Sequence, residues 1–183
     1  LAEKLVEMHP WSDIVRYARA GGEINSVAVR IVRAATGKEK IAICGYHGWH
    51  DWYLSSNLHN DKNLDGHLLP GLQPNGVPRG LKGTTLVFKY NDIEGLEQLI
   101  KENNGEIAAI KMEVSRNERP QDGYLQKVRD LATENNIVLI FDECTSGFRE
   151  TFGGLHKKYS IEPDIAIFGK ALGNGYAISA CIG

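Results

Sequence analysis

The chain has 183 residues, of which 42% are hydrophobic and 24% charged, and its formal net charge is −2. A chain of this length and composition can bury one sizeable core, so we expect one globular domain. Its 21 basic residues are balanced by 23 acidic ones. This balance argues against a basic surface for nucleic acid or an anionic membrane and favours a small-molecule ligand. No apolar run approaches the roughly 20 residues that span a bilayer.

The cysteines indicate a reducing environment. Cys44, Cys144 and Cys181 form no CxxC motif, and each lies at or near the end of an apolar run. We therefore predict buried, reduced thiols and a cytoplasmic protein. The chain starts at Leu1 instead of Met and stops at Gly183 within an apolar run, which we interpret as a fragment that is incomplete at both ends.

The first part of the chain predicts a helix end, a strand and a long amphipathic helix. Residues 1–8 form the helix end, which stops before Pro10 because a residue that precedes proline avoids the helical region. Residues 12–19 are a candidate strand, and residues 20–22 predict a turn. From Glu23 to Thr36 apolar residues recur at helical spacing: Ile24, Val27, Ala28, Ile31, Val32 and Ala35.

The remaining elements alternate between short apolar strands and amphipathic helices. A strand at 41–44 precedes a loop at 45–53, and residues 54–83 show no period, which predicts a long surface loop. Loops of that length in compact domains are commonly functional. Further strands are predicted at 84–90, 107–113, 137–142, 164–168 and 178–183, with helices at 91–102 and 122–135.

This alternation predicts a three-layer α/β/α fold. Strand, helix and strand at this spacing imply right-handed crossovers and a mostly parallel sheet of about seven strands, covered by helices on both faces. The connection from Lys170 to Ser179 is too short for a crossover helix. The last strand should therefore run antiparallel to its neighbours.

Charged residues follow two of the predicted buried strands. Asp142 and Glu143 follow the apolar run 137–141, and Lys170 follows the run 165–168. Open α/β sheets bind ligands at the carboxyl ends of their strands. A partly desolvated amine there would have a lowered pKa and could form a Schiff base with a carbonyl group. The alternative for Lys170 is a solvated surface lysine, and the alternative for Asp142 is an aspartate that caps the next turn.

A carboxylate that follows five apolar residues is costly to bury unless it is paired, and a protonated pyridine nitrogen would pair with Asp142. A Schiff-base lysine and a carboxylate on the ring nitrogen are the two groups that pyridoxal phosphate (PLP) enzymes use. Gly21 and Gly22 could expose backbone N–H groups to a phosphate at a helix N-terminus, although such a turn can also be only a turn. Tyr46 could stack on a ring, and Glu113 ends a strand that should lie beside the Asp142 strand.

A metal site is the competing interpretation. His47, His50 and Asp51 stand at loop spacing and could ligate a metal ion in a hydrolase. No further His or Cys cluster completes a tetrahedral set in the sequence. We therefore predict no metal site.

Several spaced motifs resemble a known family. They are AGGE at 20–23, GYHG at 45–48, Glu113 in MEV, FDECTSGFR at 141–149 and PDIAIFGKALGNG at 163–175. Over nearly all its residues the chain resembles the class III (ω-type) aminotransferases of the PLP-dependent fold type I group. The most similar branch is that of glutamate-1-semialdehyde 2,1-aminomutase.

The resemblance implies roles for individual residues. Lys170 looks like the lysine that holds PLP as a Schiff base, Asp142 like the partner of the pyridine nitrogen, and Glu113 belongs to the same cofactor site. The remaining cofactor-binding residues would be Gly21 and Gly22 at the phosphate, Tyr46 and Cys144 on the two ring faces, and His47 next to the stacking aromatic. Arg149, in the GFR turn, is interpreted as mainly structural.

The chain also departs from the family pattern. Relatives commonly have Ser-Gly-Thr where this chain has Ala20, Gly21 and Gly22, so the backbone would contribute more of the phosphate binding. Val114 replaces the usual Pro, Cys144 replaces the usual Val, and Trp49 distinguishes the 45–51 loop from that of typical aminomutases.

The resemblance implies that residues 1–183 form the PLP-binding large domain of a longer homodimeric enzyme. A neighbouring subunit would complete the phosphate site. The expected function is amino-group transfer between a small-molecule donor and acceptor by an aminotransferase, or isomerisation by an aminomutase. The alternative is a PLP-fold scaffold or binding protein without catalysis, in which the changes at Ala20 and Gly22 weaken the phosphate site.

Overall fold

The computed structural model describes residues 1–67 and 70–183, and its centre is a seven-stranded mixed sheet. In chain order the strands are β1 (Val15–Ala18), β2 (Lys40–Cys44), β3 (Thr85–Val87), β4 (Ile107–Met112), β5 (Val138–Glu143), β6 (Ile165–Phe168) and β7 (Ser179–Ile182). Their order across the sheet is β1-β7-β6-β5-β4-β2-β3. β7 pairs antiparallel with β1 and β6, and the other pairings are parallel, which confirms the predicted strand number and the reversed last strand.

Helices cover both faces of the sheet. They are α1 (Ala2–Met8), α2 (Gly21–Thr36), α3 (Asp51–Leu54), α4 (Ile93–Glu102) and α5 (Tyr124–Glu134). On one face α2 packs against β4 and β6, and Ile24 and Ala28 share an apolar cluster with Ala109 and Ile167 of these strands. On the other face α4 and α5 pack against the alternate side chains of β4 and β5, such as Ile110 and Leu139. These two apolar clusters confirm the three-layer arrangement.

The N-terminus of α2 differs from its prediction. Gly21 and Gly22 are the first turn of the helix itself, and Ala20 is its N-cap residue. The Glu23 carboxylate accepts hydrogen bonds from the backbone N–H groups of Arg19 (2.9 Å) and Ala20 (3.3 Å), which fixes the helix start. The predicted turn at 20–22 is therefore helical from Gly21 onward.

The apolar face of α2 is also displaced from the predicted one. Ile31 and Ala35 are exposed, whereas Val29 is buried. The helix therefore presents the side of Ala28, Val29 and Val32 to the sheet. The helix ends as predicted, at Gly37, which adopts the left-handed conformation (φ 67°) that a residue without a side chain tolerates best.

Residues 45–83 contain more structure than predicted. The loop at 45–53 includes the start of α3, and the segment that follows contains two 3₁₀ helices, Ser55–Leu58 and Arg79–Leu81. Leu58, Leu64 and Val77 are buried against the core on the α2 face, so the prediction of a plain surface loop is wrong. Irregular turns bury side chains without a period, which is why the sequence pattern did not reveal them. Leu68 and Leu69, within that predicted loop, lie outside the described residues.

The regular alternation of strands and helices fails between β5 and β6. The connection contains the 3₁₀ helix Leu155–Tyr159 instead of an α-helix. β5 also extends one residue beyond its prediction, so that Asp142 and Glu143 both belong to the strand and point to opposite faces. In the part of the chain that the structure covers, no helix is long and apolar enough to cross a membrane.

Candidate active site

Asp142 and Lys170 lie at the same edge of the sheet, as predicted. β5 and β6 are parallel neighbours, with Asp142 opposite Ile167, and Lys170 follows the end of β6. Asp142 is 3% exposed, whereas the Lys170 side chain is exposed and its Nζ donates a hydrogen bond to Thr145 Oγ1 at 3.0 Å. The sequence predicted a partly desolvated Lys170, but this chain by itself leaves the side chain exposed to solvent. Lys170 also has a positive φ of 45°, a conformation that concentrates at functional sites.

The Asp142 carboxylate is held from three directions. His47 Nδ1 lies 2.8 Å from Oδ2, the backbone N–H of Cys144 donates to Oδ1 at 3.0 Å, and Lys111 Nζ lies 3.8 Å from Oδ2. Burial by itself would raise the pKa of Asp142. The Lys111 ammonium and the His47 hydrogen bond outweigh that effect and hold the pKa well below its usual range. Asp142 is therefore an ionised carboxylate inside the protein.

His47 is a direct partner of Asp142, a contact that the sequence did not predict. The ring is 1% exposed, and its Nε2 lies 3.2 Å from the carbonyl oxygen of Cys44. Burial, assisted by Lys111, lowers the pKa of His47 to about 4 against the opposing effect of Asp142. A neutral imidazole has one N–H group, and a proton on Nδ1 serves the shorter contact, the one to Asp142. A direct contact between His47 and a cofactor stays a prediction.

Glycines allow the elements around Asp142 to approach closely. A Cβ atom on Gly21 would lie 3.3 Å from Cys144 Sγ, and one on Gly169 would lie 3.1 Å from the same sulfur. A Cβ on Gly22 would lie 2.8 Å from the His50 ring, and Gly48 (φ 104°) would place a Cβ 2.6 Å from the Cα of Gly22. The N-terminus of α2 is thereby brought next to Cys144 and the end of β6.

This helix N-terminus offers backbone donors. The first N–H groups of an α-helix have no acceptor within the helix, and the helix dipole makes that end positive. Gly21 and Gly22 contribute N–H groups of this kind, and without side chains they leave the backbone accessible. The arrangement suits an anion such as a phosphate.

A hydrogen bond joins Glu113, which follows β4, to Tyr46 in the loop after β2. Glu113 is 5% exposed and accepts hydrogen bonds from the Tyr46 backbone N–H (3.2 Å) and Arg116 Nη1 (3.0 Å). Burial and the charge of Asp142 raise the pKa of Glu113, while Arg116 opposes that rise. Arg116 also lies over the Tyr46 ring, with Cζ 5.8 Å from the ring centroid. The sequence analysis missed Arg116, although its i+3 spacing from Glu113 was available as a signal.

A cavity of about 640 Å³ opens beside this group. It lies at the carboxyl ends of β2, β3 and β4, and its lining includes Gly45, Lys89, Glu113 and Arg116. Gly45 is required there, because its φ is 108° and a Cβ would lie 2.6 Å from Glu113 Oε2. The cavity leaves room for a ligand next to Glu113.

Lys111 was also missed by the sequence analysis. It lies on β4 and is 0% exposed, and the available signal was a single lysine within the apolar strand at 107–112. Its Nζ has no hydrogen-bond partner among the residues that the structure describes. Lys111 places a third ionisable group beside Asp142 and His47.

The competing metal interpretation rests on His47, His50 and Asp51. Among residues 1–67 and 70–183, no group of three or more His, Cys, Asp or Glu side chains is arranged to hold a metal ion. Both ring nitrogens of His47 already contact oxygen atoms, and the His50 ring lies against Gly22.

The three cysteines are free and buried, as predicted. Burial raises the pKa of the Cys44 thiol to about 12 and that of Cys181 to about 11, and it raises the pKa of Cys144 further. All three are therefore protonated thiols at neutral pH. The role predicted for Cys144 requires only a small apolar surface, which a protonated thiol provides.

Comparison with known proteins identifies the family. The family described as aminotransferase class-III matches residues 1–183. The chain belongs to the class-III aminotransferases. It is 35% identical over its whole length to a 3-aminobutyryl-CoA aminotransferase of Cloacimonas acidaminovorans, covering 42% of that protein. It is 38% identical over its whole length to a glutamate-1-semialdehyde 2,1-aminomutase of Methanococcus maripaludis, covering 43% of it.

The fold agrees with the class-III assignment. A solved structure described as a transaminase with PLP bound superposes with a TM-score of 0.85 at 28% identity, covering 99% of this chain and 42% of the other. The resemblance to class III aminotransferases and to the aminomutase branch is thereby confirmed. The chain spans less than half the length of the proteins it matches.

Proposed function

We propose that this chain is the cofactor-binding part of a PLP-dependent class-III enzyme that transfers amino groups, as an aminotransferase or an aminomutase. One observation carries the proposal. The buried, ionised Asp142 and the amine of Lys170 lie at the carboxyl ends of neighbouring strands, beside the glycine N-terminus of α2. An acid, an amine and a phosphate cradle are the groups that hold PLP.

The residues present fit this cofactor. Asp142 has acceptor capacity left, because a carboxylate has about four acceptor sites and Asp142 receives two hydrogen bonds, so it can accept a further one from a protonated ring nitrogen. The N–H groups of Gly21 and Gly22 would bind the phosphate, and Tyr46 and Cys144 would contact the two ring faces. The Glu113 carboxylate would hold Tyr46 in place by accepting a hydrogen bond from the Tyr46 backbone N–H. When bound, PLP supplies an aldehyde that condenses with amines and a ring that accepts electrons.

The chain's own residues would do the following work. The Nζ amine of Lys170 would attach the cofactor and, when released by an incoming amine, would carry a proton away from the substrate carbon and return it as general base and acid. Asp142 would keep the ring nitrogen protonated. His47 and Cys144 N–H would hold the carboxylate in place while it does so.

The complete enzyme would need more than this chain. Because the chain covers 42% to 43% of the relatives described above, we propose that residues 1–183 are the PLP-binding large domain. We further propose that the complete protein is a homodimer whose neighbouring subunit contributes to the site and covers the exposed Lys170. The small-molecule amino donor and acceptor would bind beside it. Three free thiols support a cytoplasmic location, since reducing conditions preserve them.

The proposal is tested by optical titration of the complete protein with PLP. We expect a visible absorption band of the lysine-bound cofactor, together with transfer of an amino group from a donor amine to that cofactor. Lys170→Ala should remove the band, whereas Lys101→Ala, an exposed lysine on α4, should keep it. A band that survives in Lys170→Ala would refute the assignment of Lys170. PLP binding without amino transfer would favour the scaffold alternative.

A further inference from the structure

Lys111 is a buried lysine on the central strand β4. Its side chain is 0% exposed, and strand alternation places it on the same face as Ala109, the face covered by α2. A buried ammonium group is costly unless an opposite charge lies close to it. Within the described part of the chain, Nζ makes no hydrogen bond that would reduce this cost.

The opposite charge is Asp142. Lys111 Nζ lies 3.8 Å from Asp142 Oδ2, too far for a hydrogen bond but within the range of an ion pair. Both side chains are nearly inaccessible to water, at 0% and 3% exposure, so the attraction between them is weakly screened. Burial lowers the pKa of Lys111, and the charge of Asp142 opposes that lowering, so the charge of each group depends on the other.

The other titratable groups that face this pair do not replace either charge. They are His47 from the loop after β2, Glu113 after β4, Cys144 after β5 and Cys181 on β7. Burial keeps His47 neutral and the two thiols protonated. Glu113 is paired with Arg116 at 3.0 Å. Lys111 and Asp142 are left as each other's counter-charges.

We propose that Lys111 is a positioning residue for the cofactor site, whose buried ammonium group keeps the Asp142 carboxylate ionised before the cofactor binds. This inference rests on the proposed function, since it takes Asp142 as the partner of the ring nitrogen. Lys111 and His47 both approach Oδ2, while the Cys144 N–H group holds Oδ1. The carboxylate is thus charged and oriented by the protein alone, and the entering cofactor does not have to supply its charge.

The test follows the ¹³C signal of the Asp142 carboxyl group in the complete, cofactor-free protein. The signal is assigned by its loss in Asp142→Asn and followed across a pH titration from mildly acidic to neutral conditions. The wild-type carboxyl should stay ionised throughout. In Lys111→Met, which keeps the length of the side chain and removes its charge, the carboxyl group should take up a proton within this pH range. Lys101→Met, at an exposed lysine, should leave the titration unchanged. A carboxyl group that stays ionised throughout the titration in Lys111→Met overturns the inference.

A double variant keeps the inference testable where Lys111→Met does not fold. Removing one partner of a buried pair leaves an unpaired charge, whereas removing both does not. Lys111→Met combined with Asp142→Asn should therefore fold, with a cooperative thermal unfolding transition, where Lys111→Met alone does not. A double variant that also fails to fold overturns the inference.

Failure of this inference can be separated from failure of the proposed function. PLP binding is measured in parallel on the wild-type protein by its absorption band. Absence of binding would refute the proposed function, while the Asp142 titration could still be read in the cofactor-free protein. PLP binding together with an identical Asp142 titration in wild type and Lys111→Met would refute only the role of Lys111.

Discussion

Two adjacent carboxylates of β5, Asp142 and Glu143, are buried on opposite faces of the sheet with different sets of partners. Glu143 is 0% exposed and accepts four hydrogen bonds: from Ser146 Oγ (2.6 Å), the Leu155 N–H (2.7 Å), the His156 N–H (2.8 Å) and His156 Nδ1 (2.6 Å). Asp142 accepts two hydrogen bonds and has Lys111 at a longer distance.

The difference supports a structural role for Glu143 and is consistent with the binding role proposed for Asp142. A carboxylate has about four acceptor sites, so Glu143 is saturated by the protein. Burial would raise the pKa of Glu143, but its bonds to His156 and Ser146 lower it, so it stays ionised. Its partners tie the turn after β5 to the 3₁₀ helix at Leu155–Tyr159. Asp142 keeps acceptor capacity, as a ligand-binding carboxylate must.

The largest expected effect is that of Glu143→Ala. Removing this carboxylate leaves the His156 ring and two backbone N–H groups buried without an acceptor, so the free energy of unfolding should fall by about 3–5 kcal/mol. PLP affinity of the folded fraction should stay within about twofold of wild type, since Glu143 faces away from the site. Urea unfolding and PLP titration of the complete protein measure the two quantities.

Lys170→Ala should show the reverse pattern and is the matched control. Because the Lys170 side chain is exposed, its removal should change the free energy of unfolding by less than about 0.5 kcal/mol. The absorption band of the bound cofactor should be lost. Loss of PLP binding in folded Glu143→Ala would contradict the assignment of a purely structural role to Glu143.

The next largest effect is a loss of stability on acidification, caused by His47, the hydrogen-bond partner of Asp142. The pKa of His47 is lowered from 6.5 to about 4 in the folded protein. Between these values the unfolded chain binds a proton that the folded one does not, so stability falls as the pH falls, by at most about 1.4 kcal/mol per pH unit and roughly 3 kcal/mol in all. The ionised Asp142 carboxylate also stabilises the folded protein, because its pKa is lower there than in the unfolded chain. This contribution is lost in more acidic solution, as the pH falls through the pKa of Asp142 in the folded protein.

His47→Gln isolates the contribution of His47, because the amide can still donate to Asp142 but does not titrate. The comparison is urea unfolding of the complete wild-type and variant proteins at several pH values between 4 and 6.5. The variant should lose stability less steeply on acidification. Equal slopes in the two proteins would show that His47 does not titrate differently in the folded and unfolded states.

The smallest expected effects come from the next two residues of the chain. Ser146→Ala removes a hydrogen bond to the buried Glu143 carboxylate and should lower the free energy of unfolding by about 1.5–3 kcal/mol. Thr145→Val removes the exposed bond to Lys170 and should change it by less than about 0.5 kcal/mol. Thermal unfolding measures both. Equal losses of stability in the two variants would contradict the difference proposed between the buried Glu143 contacts and the exposed Lys170 contact.

Much of the fold was predictable because short apolar runs and helical periods are local signals. The seven strands, the reversal of β7 and the helices α2, α4 and α5 follow from such patterns. The buried segments between α3 and β3 were not predictable, since 3₁₀ turns bury Leu58 and Leu64 without a period. The positions of Asp142 and Lys170 at one edge were predictable, because both follow buried parallel strands.

The contacts that set the charge of the site were decided by tertiary structure. Hydrogen bonding between His47 and Asp142 joins residues 95 positions apart, and the burial of Lys111 depends on α2 covering β4. The residues that carry charge at the strand ends could be identified from the sequence, because each follows a short apolar run. Only packing decided which charge neutralises which, because ionisation of a buried group depends on the few atoms within several ångströms of it and not on its neighbours in the chain.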